Sequence, residues 1–179
     1  CEAGYYCPQG TPIQLPCPSG SFNPDTLSEL KTACGDCTQG KYCTSTGLSA
    51  VEGDCDGGFY CFAGTRVPRP NENGAEKHYC TKGQKCPVGS YEATNCPAGT
   101  YQDLDRQTDC NVCPKGYFCP TGTSDYTANI CPVGHYCPEG TKFNNEYPCP
   151  EGTYNPREGI TEQSECVQCT PGKYCQGTG

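Results

Sequence analysis

The sequence predicts a small disulfide-rich fold: an elongated linear array of β-hairpin and turn modules with almost no helix and no single core. Three observations carry that expectation. The 179 residues include 20 cysteines, which places the chain among disulfide scaffolds. Valine, isoleucine, leucine and phenylalanine together number only 19, too few to bury one core, so crosslinks must replace it. The 23 glycines and 17 prolines break helices and long strands and specify tight turns instead.

The first recurring element is a phrase of a cysteine, two variable residues, a glycine, two more residues and a closing cysteine. It starts at Cys1, Cys37, Cys55, Cys80, Cys113, Cys131 and Cys169. The residue before the closing cysteine is aromatic in six copies (Tyr6, Tyr42, Tyr60, Phe118, Tyr136 and Tyr174), and Lys85 holds that place in the seventh. The glycine permits a positive φ or a close backbone approach between bridges. The aromatic ring can lie over a disulfide and add area that a small module otherwise lacks.

The second element is Cys-Pro-x-Gly-Ser/Thr-Phe/Tyr at Cys17, Cys96 and Cys149, with the proline fixing the turn that follows. Each copy is answered by a later cysteine (Cys34, Cys110, Cys166) three residues before the next hexad. One unit therefore reads hexad, Cys-Pro phrase, spacer, Cys-x-x-Cys, hexad, a period of about fifty residues typical of arrays whose units contact their neighbours. The resulting division is unit 1 at 1–54, a partial unit at 55–79 with an irregular insert at 62–79, unit 2 at 80–130 and unit 3 at 131–179.

Chain geometry favours one pairing scheme. The Cys-Pro phrases close their own spacers as Cys17–Cys34, Cys96–Cys110 and Cys149–Cys166. Consecutive hexads interlock first-to-first and second-to-second, as Cys37–Cys55 with Cys43–Cys61 and Cys113–Cys131 with Cys119–Cys137. Cys80 and Cys86 either close on each other or share in a rearranged middle unit. Cys1, Cys7, Cys169 and Cys175 are left for inter-unit or inter-chain bridges, and the chain, which starts and stops inside its own repeat, reads as a segment of a longer polypeptide or a link between successive copies.

The stretch CPEGTYNPREGITEQSECVQCTPGKYC from Cys149 resembles the ephrin-receptor-like, GCC-type cysteine-rich repeat, a distant relative of the tumour-necrosis-factor-receptor modules. CPAGTYQDLDRQTDCNVCPKGYFC from Cys96 and CPSGSFNPDTLSELKTACGDCTQGKYC from Cys17 resemble it equally. The resemblance implies an extracellular rod of small β-rich modules, of a kind found in protist surface proteins and in mastigonemes, the hair-like filaments of flagella. Residues 62–79 depart from the pattern.

The residues point away from catalysis and cofactors. Cys-x-x-Cys pairs can hold zinc, but here each sits in a ladder of constant spacing, the two histidines lie far from any of these pairs, and an even count can be fully bridged. A thioredoxin-type redox role lacks the strand-to-helix context it needs. His78 and His135 have no recurring acid and nucleophile beside them. Asp103, Asp105 and Asp109 offer oxygen ligands without the glycine and distal glutamate of a dedicated calcium loop. No Asn-x-Ser/Thr sequon exists, and Asn111 and Asn129 each precede a cysteine by two positions; carbohydrate would sit more readily on the many serine and threonine hydroxyls.

The formal charge of −8 is spread along the chain with no basic cluster, which disfavours nucleic acid and direct membrane insertion. The cysteines require an oxidising, extracellular or cell-surface setting. The expected function is a structural component of an extracellular filament or surface hair, not an enzyme, with copies of itself, further repeats, other filament proteins or carbohydrate as partners. The alternative is a partner-binding module of a receptor-like ectodomain or surface antigen. Its contact loop would be the insert, with Arg66, Arg69, Lys77 and His78 in an otherwise acidic chain.

Overall fold

The computed structural model describes residues 1–70, 78–172 and 175. The chain forms two compact units, one of Cys1–Cys80, Cys86–Thr94 and Arg106–Thr108, the other of Thr81–Lys85, Asn95–Asp105 and Asp109–Gly179. The same local construction fills both.

Each unit is built from minimal antiparallel hairpins. In the first, Tyr5–Tyr6 pairs with Leu15–Pro16, Ser21–Phe22 with Gly35–Asp36, and Lys41–Tyr42 with Gly53–Asp54; a single bridge joins Phe59 to Tyr79. In the second, Thr100–Tyr101 pairs with Asn111–Val112 and Thr153–Tyr154 with Val167–Gln168. Single bridges there join Tyr117 to Ile130 and His135 to Pro148. Among the described residues there is no α-helix, and the three 3-10 turns, Lys31–Ala33, Tyr126–Ala128 and Gln163–Glu165, last three residues each.

Cystine is the core. Cys17, Cys37, Cys43, Cys55, Cys61, Cys80, Cys86, Cys96, Cys113, Cys119, Cys131 and Cys149 are fully buried, whereas Phe59 and Ile160 are the only larger apolar side chains buried among the described residues. All twenty cysteines are bridged. This is the small disulfide-rich class that composition implies, and the reason is quantitative. Bridges closing short loops stabilise by about 2–4 kcal/mol each, whereas none of the valines and leucines is buried and most are exposed.

The pairing corrects the interlocked scheme. Cys37 bonds to Cys43, Cys55 to Cys61, Cys113 to Cys119 and Cys131 to Cys137, so the expected Cys37–Cys55, Cys43–Cys61, Cys113–Cys131 and Cys119–Cys137 bridges do not form. Each hexad instead closes on itself, because its glycine turns the backbone and brings the two Cα atoms to within 5.7 to 6.1 Å, inside the range a disulfide spans. Cys80–Cys86 closes likewise, as do Cys1–Cys7 and Cys169–Cys175, so none of the four terminal cysteines remains for a bridge to another unit or chain. Cys17–Cys34, Cys96–Cys110 and Cys149–Cys166 are the three longer bridges.

Neighbouring hexads do interlock, through the backbone. Gly40 N–H donates to the Cys61 carbonyl (2.7 Å) while Cys55 N–H donates back to the Gly40 carbonyl (2.9 Å). Gly116 and the Cys131 hexad repeat the pair, with Gly116 N–H on the Cys137 carbonyl and Cys131 N–H on the Gly116 carbonyl, both at 2.8 Å. The Cys-Pro phrases obey the same rule: Gly20 N–H donates to the Cys43 carbonyl, and Cys37 N–H to the Gly20 carbonyl, both at 2.8 Å. Hexad and Cys-Pro phrase are therefore one element. Ten Cys-x-x-Gly rungs start at Cys1, Cys17, Cys37, Cys55, Cys80, Cys96, Cys113, Cys131, Cys149 and Cys169, and the true period is one rung.

Candidate functional site

The most constant feature of the molecule is the rung, and its chemistry is that of backbone satisfaction. The carbonyls of the first eight rung cysteines, Cys1 through Cys131, each accept from a residue of the next rung that lies at positive φ. Gly64 N–H reaches the Cys37 carbonyl (2.9 Å), Gly89 N–H that of Cys55 (2.9 Å) and Gly140 N–H that of Cys113 (2.9 Å). Two non-glycine residues take this place, Leu27 at φ 60° on the Cys1 carbonyl and Arg106 at φ 61° on the Cys80 carbonyl. Backbone approach is closest at the rung glycines. A Cβ on Gly116 would stand 2.8 Å from the Gly159 carbonyl oxygen, and one on Gly99 2.6 Å from that of Gly140.

In three rungs the sixth position after the rung cysteine carries an amide instead of cysteine: Asn23, Gln102 and Asn155, exposed by 0%, 3% and 4%. Their carbonyls accept from Gly4, Gly83 and Gly134 as a closing cysteine's would (2.8, 2.7 and 2.8 Å). Their side chains then replace the missing bridge. Asn23 Nδ2 donates to the Tyr5 carbonyl (3.0 Å) and Ser28 Oγ (2.9 Å), and its Oδ1 accepts from Asp25 N–H (3.1 Å). Asn155 Nδ2 donates to the carbonyls of His135 (3.1 Å) and Arg157 (2.6 Å), with Arg157 N–H on its Oδ1 (2.9 Å). Gln102 Nε2 reaches the Asp109 carbonyl (2.8 Å), and Leu104 N–H its Oε1 (3.1 Å). None of these amides is among the sites expected from sequence. The signal is present there all the same: superposing Gly20, Gly99 and Gly152 on the hexad glycines aligns all three with closing cysteines.

The described parts of the irregular insert, 62–70 and 78–79, meet the rung that precedes them. Asp56 N–H donates to the Pro68 carbonyl (3.0 Å), and Tyr60 N–H to that of His78 (3.1 Å). The residues expected to form a contact loop are placed differently from one another. Arg69 Nε bonds Asp56 Oδ2 (2.7 Å), the Arg66 stem lies against Gly20, His78 meets Phe62 edge-on at 4.4 Å and Tyr60 at 5.9 Å between centroids, and Lys77 lies outside the described residues. On the other side of this rung Phe59 and Tyr79 pack edge to face with centroids 6.2 Å apart. The Arg106 guanidinium covers both, 5.6 and 4.8 Å from their centroids, within cation–π range.

Of the three aspartates considered for calcium, Asp103 is exposed and the other two are engaged separately. Asp105 Oδ1 accepts from Lys82 N–H (3.1 Å). Asp109 binds Cys110 N–H (2.9 Å) and Lys85 Nζ (3.0 Å), and those contacts, the backbone one foremost, hold its carboxyl below the usual range. Lys85, the exception in the aromatic column, thus exchanges a ring for an ion pair. Among the described residues no group of three metal-ligating side chains gathers, and no helix is long and apolar enough to cross a membrane. His135 Nδ1 lies 3.2 Å from the Val133 carbonyl. Asn111 is exposed, but Cys113 and Cys131, which follow Asn111 and Asn129, are buried and bridged.

No protein-family model matches the chain. About half of it, 54%, is similar to segments of three plant proteins. They are ABC transporter G family member 25 of Oryza sativa subsp. japonica (29% identical over 104 residues), and from Arabidopsis thaliana the putative white-brown complex homolog protein 30 (29% over 105) and ABC transporter G family member 28 (31% over 106). The matched stretch is 9–10% of each of those proteins, so the chain spans about a tenth of the relatives it matches.

Proposed function

We propose that the protein is a structural element of the extracellular space, a disulfide-stapled array serving in a filament or surface hair. The observation that carries this reading is where its constant residues are used. Cysteine and glycine recur rung after rung and are used in bridging and turning the backbone, while the positions between them differ from rung to rung. Ten bridges of this kind belong to an oxidising compartment. A stretch of similar sequence inside proteins named as ABC transporters fits a module that serves as part of longer chains. Negative-stain electron microscopy of native material, with solution scattering of the purified chain, tests the proposal. Filaments and a radius of gyration well above about 16 Å, the value for a compact chain of this length, are expected; a compact particle of that size refutes it.

A second reading, a partner-binding module, draws on one observation: the Tyr60, Phe62 and His78 cluster is a departure from the repeat, and Phe62 remains 42% exposed. Replacing residues 71–77 with a short Gly-Ser linker and Phe62 with alanine weakens lateral association if the cluster is a contact. Unchanged assembly favours the purely structural role.

A further inference from the structure

The bridges fall into two classes, and we propose that the three long ones, Cys17–Cys34, Cys96–Cys110 and Cys149–Cys166, are thiol–disulfide exchange sites that open while the inner rungs stay closed. The inference rests on the fold and is independent of the role proposed above.

The five inner hexad bridges have both cysteines sealed, with exposures of 0–1% from Cys37 through Cys137. In each long bridge one cysteine is fully buried, Cys17, Cys96 or Cys149, while its partner, Cys34, Cys110 or Cys166, is part-exposed. Exchange requires a thiolate to approach along the sulfur–sulfur axis, and its rate depends on access and on which sulfur is attacked. An axis running from a buried sulfur to one nearer solvent presents its outer end to the reagent. An axis buried at both ends offers no approach.

Opening a long bridge also spares the rung. The hexad loops close over a separation of 6 residues, the long ones over 17, 14 and 17, so an opened long bridge re-forms less readily. Meanwhile Asn23, Gln102 and Asn155 keep the sixth position bonded with no help from sulfur. What is lost is the covalent tie at the far end of the spacer, whose Leu27 and Arg106 N–H groups stay on the Cys1 and Cys80 carbonyls; two of the three spacers carry exposed apolar side chains, Leu27 and Leu30 in one and Leu104 in another.

The co-reactant is a dithiol. One of its thiolates attacks Sγ of Cys34, and the bond to Cys17 breaks with its electron pair going to Cys17 Sγ, which takes up a proton. The second thiol gives up its proton and displaces Cys34, which is protonated in turn. The net change is one cystine reduced to two thiols and one dithiol oxidised to its cyclic disulfide.

The test uses the intact oxidised protein, limiting dithiothreitol without denaturant, an iodoacetamide quench and peptide mapping. Alkylation is expected at Cys17, Cys34, Cys96, Cys110, Cys149 and Cys166 about tenfold faster than at the inner hexads. The outer hexads Cys1–Cys7 and Cys169–Cys175, whose cysteines are also part-exposed, open with the long bridges. Equal rates at long and inner bridges, or inner hexads first, overturn the proposal. A Cys96→Ser/Cys110→Ser variant supplies the second measurement: its inner hexads keep wild-type protection if the classes are independent, and loss of that protection overturns the proposal.

Discussion

Asn23→Ala probes whether an amide does in three rungs what a cystine does in seven. Asn23 is fully buried and makes three side-chain hydrogen bonds, two as donor and one as acceptor. Alanine keeps the backbone but orphans the Tyr5 carbonyl and the Asp25 N–H; the Ser28 hydroxyl can turn elsewhere. An unsatisfied buried polar group costs about 1–3 kcal/mol; Tyr5 is half-buried and Asp25 is exposed, so the loss falls mainly at the Tyr5 carbonyl and comes to about 1–2 kcal/mol. The assay is equilibrium urea unfolding of wild type and variant with every disulfide intact. Asn23→Asp tests the donors alone, since it retains an acceptor for Asp25 N–H and faces the Tyr5 carbonyl with an oxygen; it should cost at least as much. A loss below about 0.5 kcal/mol, the level of an ordinary surface change, would refute the reasoning. The same logic makes Asn23→Cys with Cys34→Ser a conversion of one rung type into the other. Position 23 stands six residues after Cys17, the hexad separation, and mass mapping should find Cys17 bridged to the introduced thiol at position 23 in a folded protein.

Three further outcomes follow from particular contacts. Gly99→Ala should destabilise by more than about 3 kcal/mol or prevent folding, because a Cβ there meets the Gly140 carbonyl at 2.6 Å on a backbone at φ +87°; Gly10→Ala, with φ +82° and open space, should cost only the conformational term of about 1–2 kcal/mol, and equal losses in urea titrations would remove the close-approach argument. At Arg106, alanine should be worse than glycine by about 1 kcal/mol, since both lose the stacking on Tyr79 and Phe59 but only glycine relieves the positive φ; the reverse order in the same assay contradicts this. The carboxyls of Asp109 and Glu165 are both held low, Asp109 by Cys110 N–H first and then Lys85, Glu165 by Thr161 N–H first and then its hydroxyl. Their folded values lie below their unfolded ones, so their stabilisation is complete above the ordinary carboxylate range and is lost as pH falls through the lowered values; carboxyl NMR titrations with midpoints at or above the ordinary values would contradict it.

Much of the construction can be read from residues 1–179 alone. Twenty cysteines against so few large apolar residues leave crosslinking as the means of holding shape, and glycine three residues after each rung cysteine marks the turn, because both facts are one-dimensional. The spacer bridges are legible as well, since a cysteine answering each Cys-Pro phrase has few other partners in reach. The hexad pairing is not legible. A cysteine six residues from its mate and eighteen from the next hexad can serve either, and the choice falls to the turn at residues such as Gly40, which brings Cys37 and Cys43 within 6.0 Å while the neighbouring hexad is held by N–H and carbonyl groups that every sequence possesses. Asn23, Gln102 and Asn155 look like spacer residues in the sequence because their role exists only where the next rung's backbone meets them, and Arg106 looks like a surface charge until Phe59 and Tyr79 are placed beneath it. Composition and spacing determined the class of this protein. Hydrogen bonds between segments distant in the chain decided which residues close each rung, because such bonds depend on position in space and leave no mark on the identity of most residues that make them.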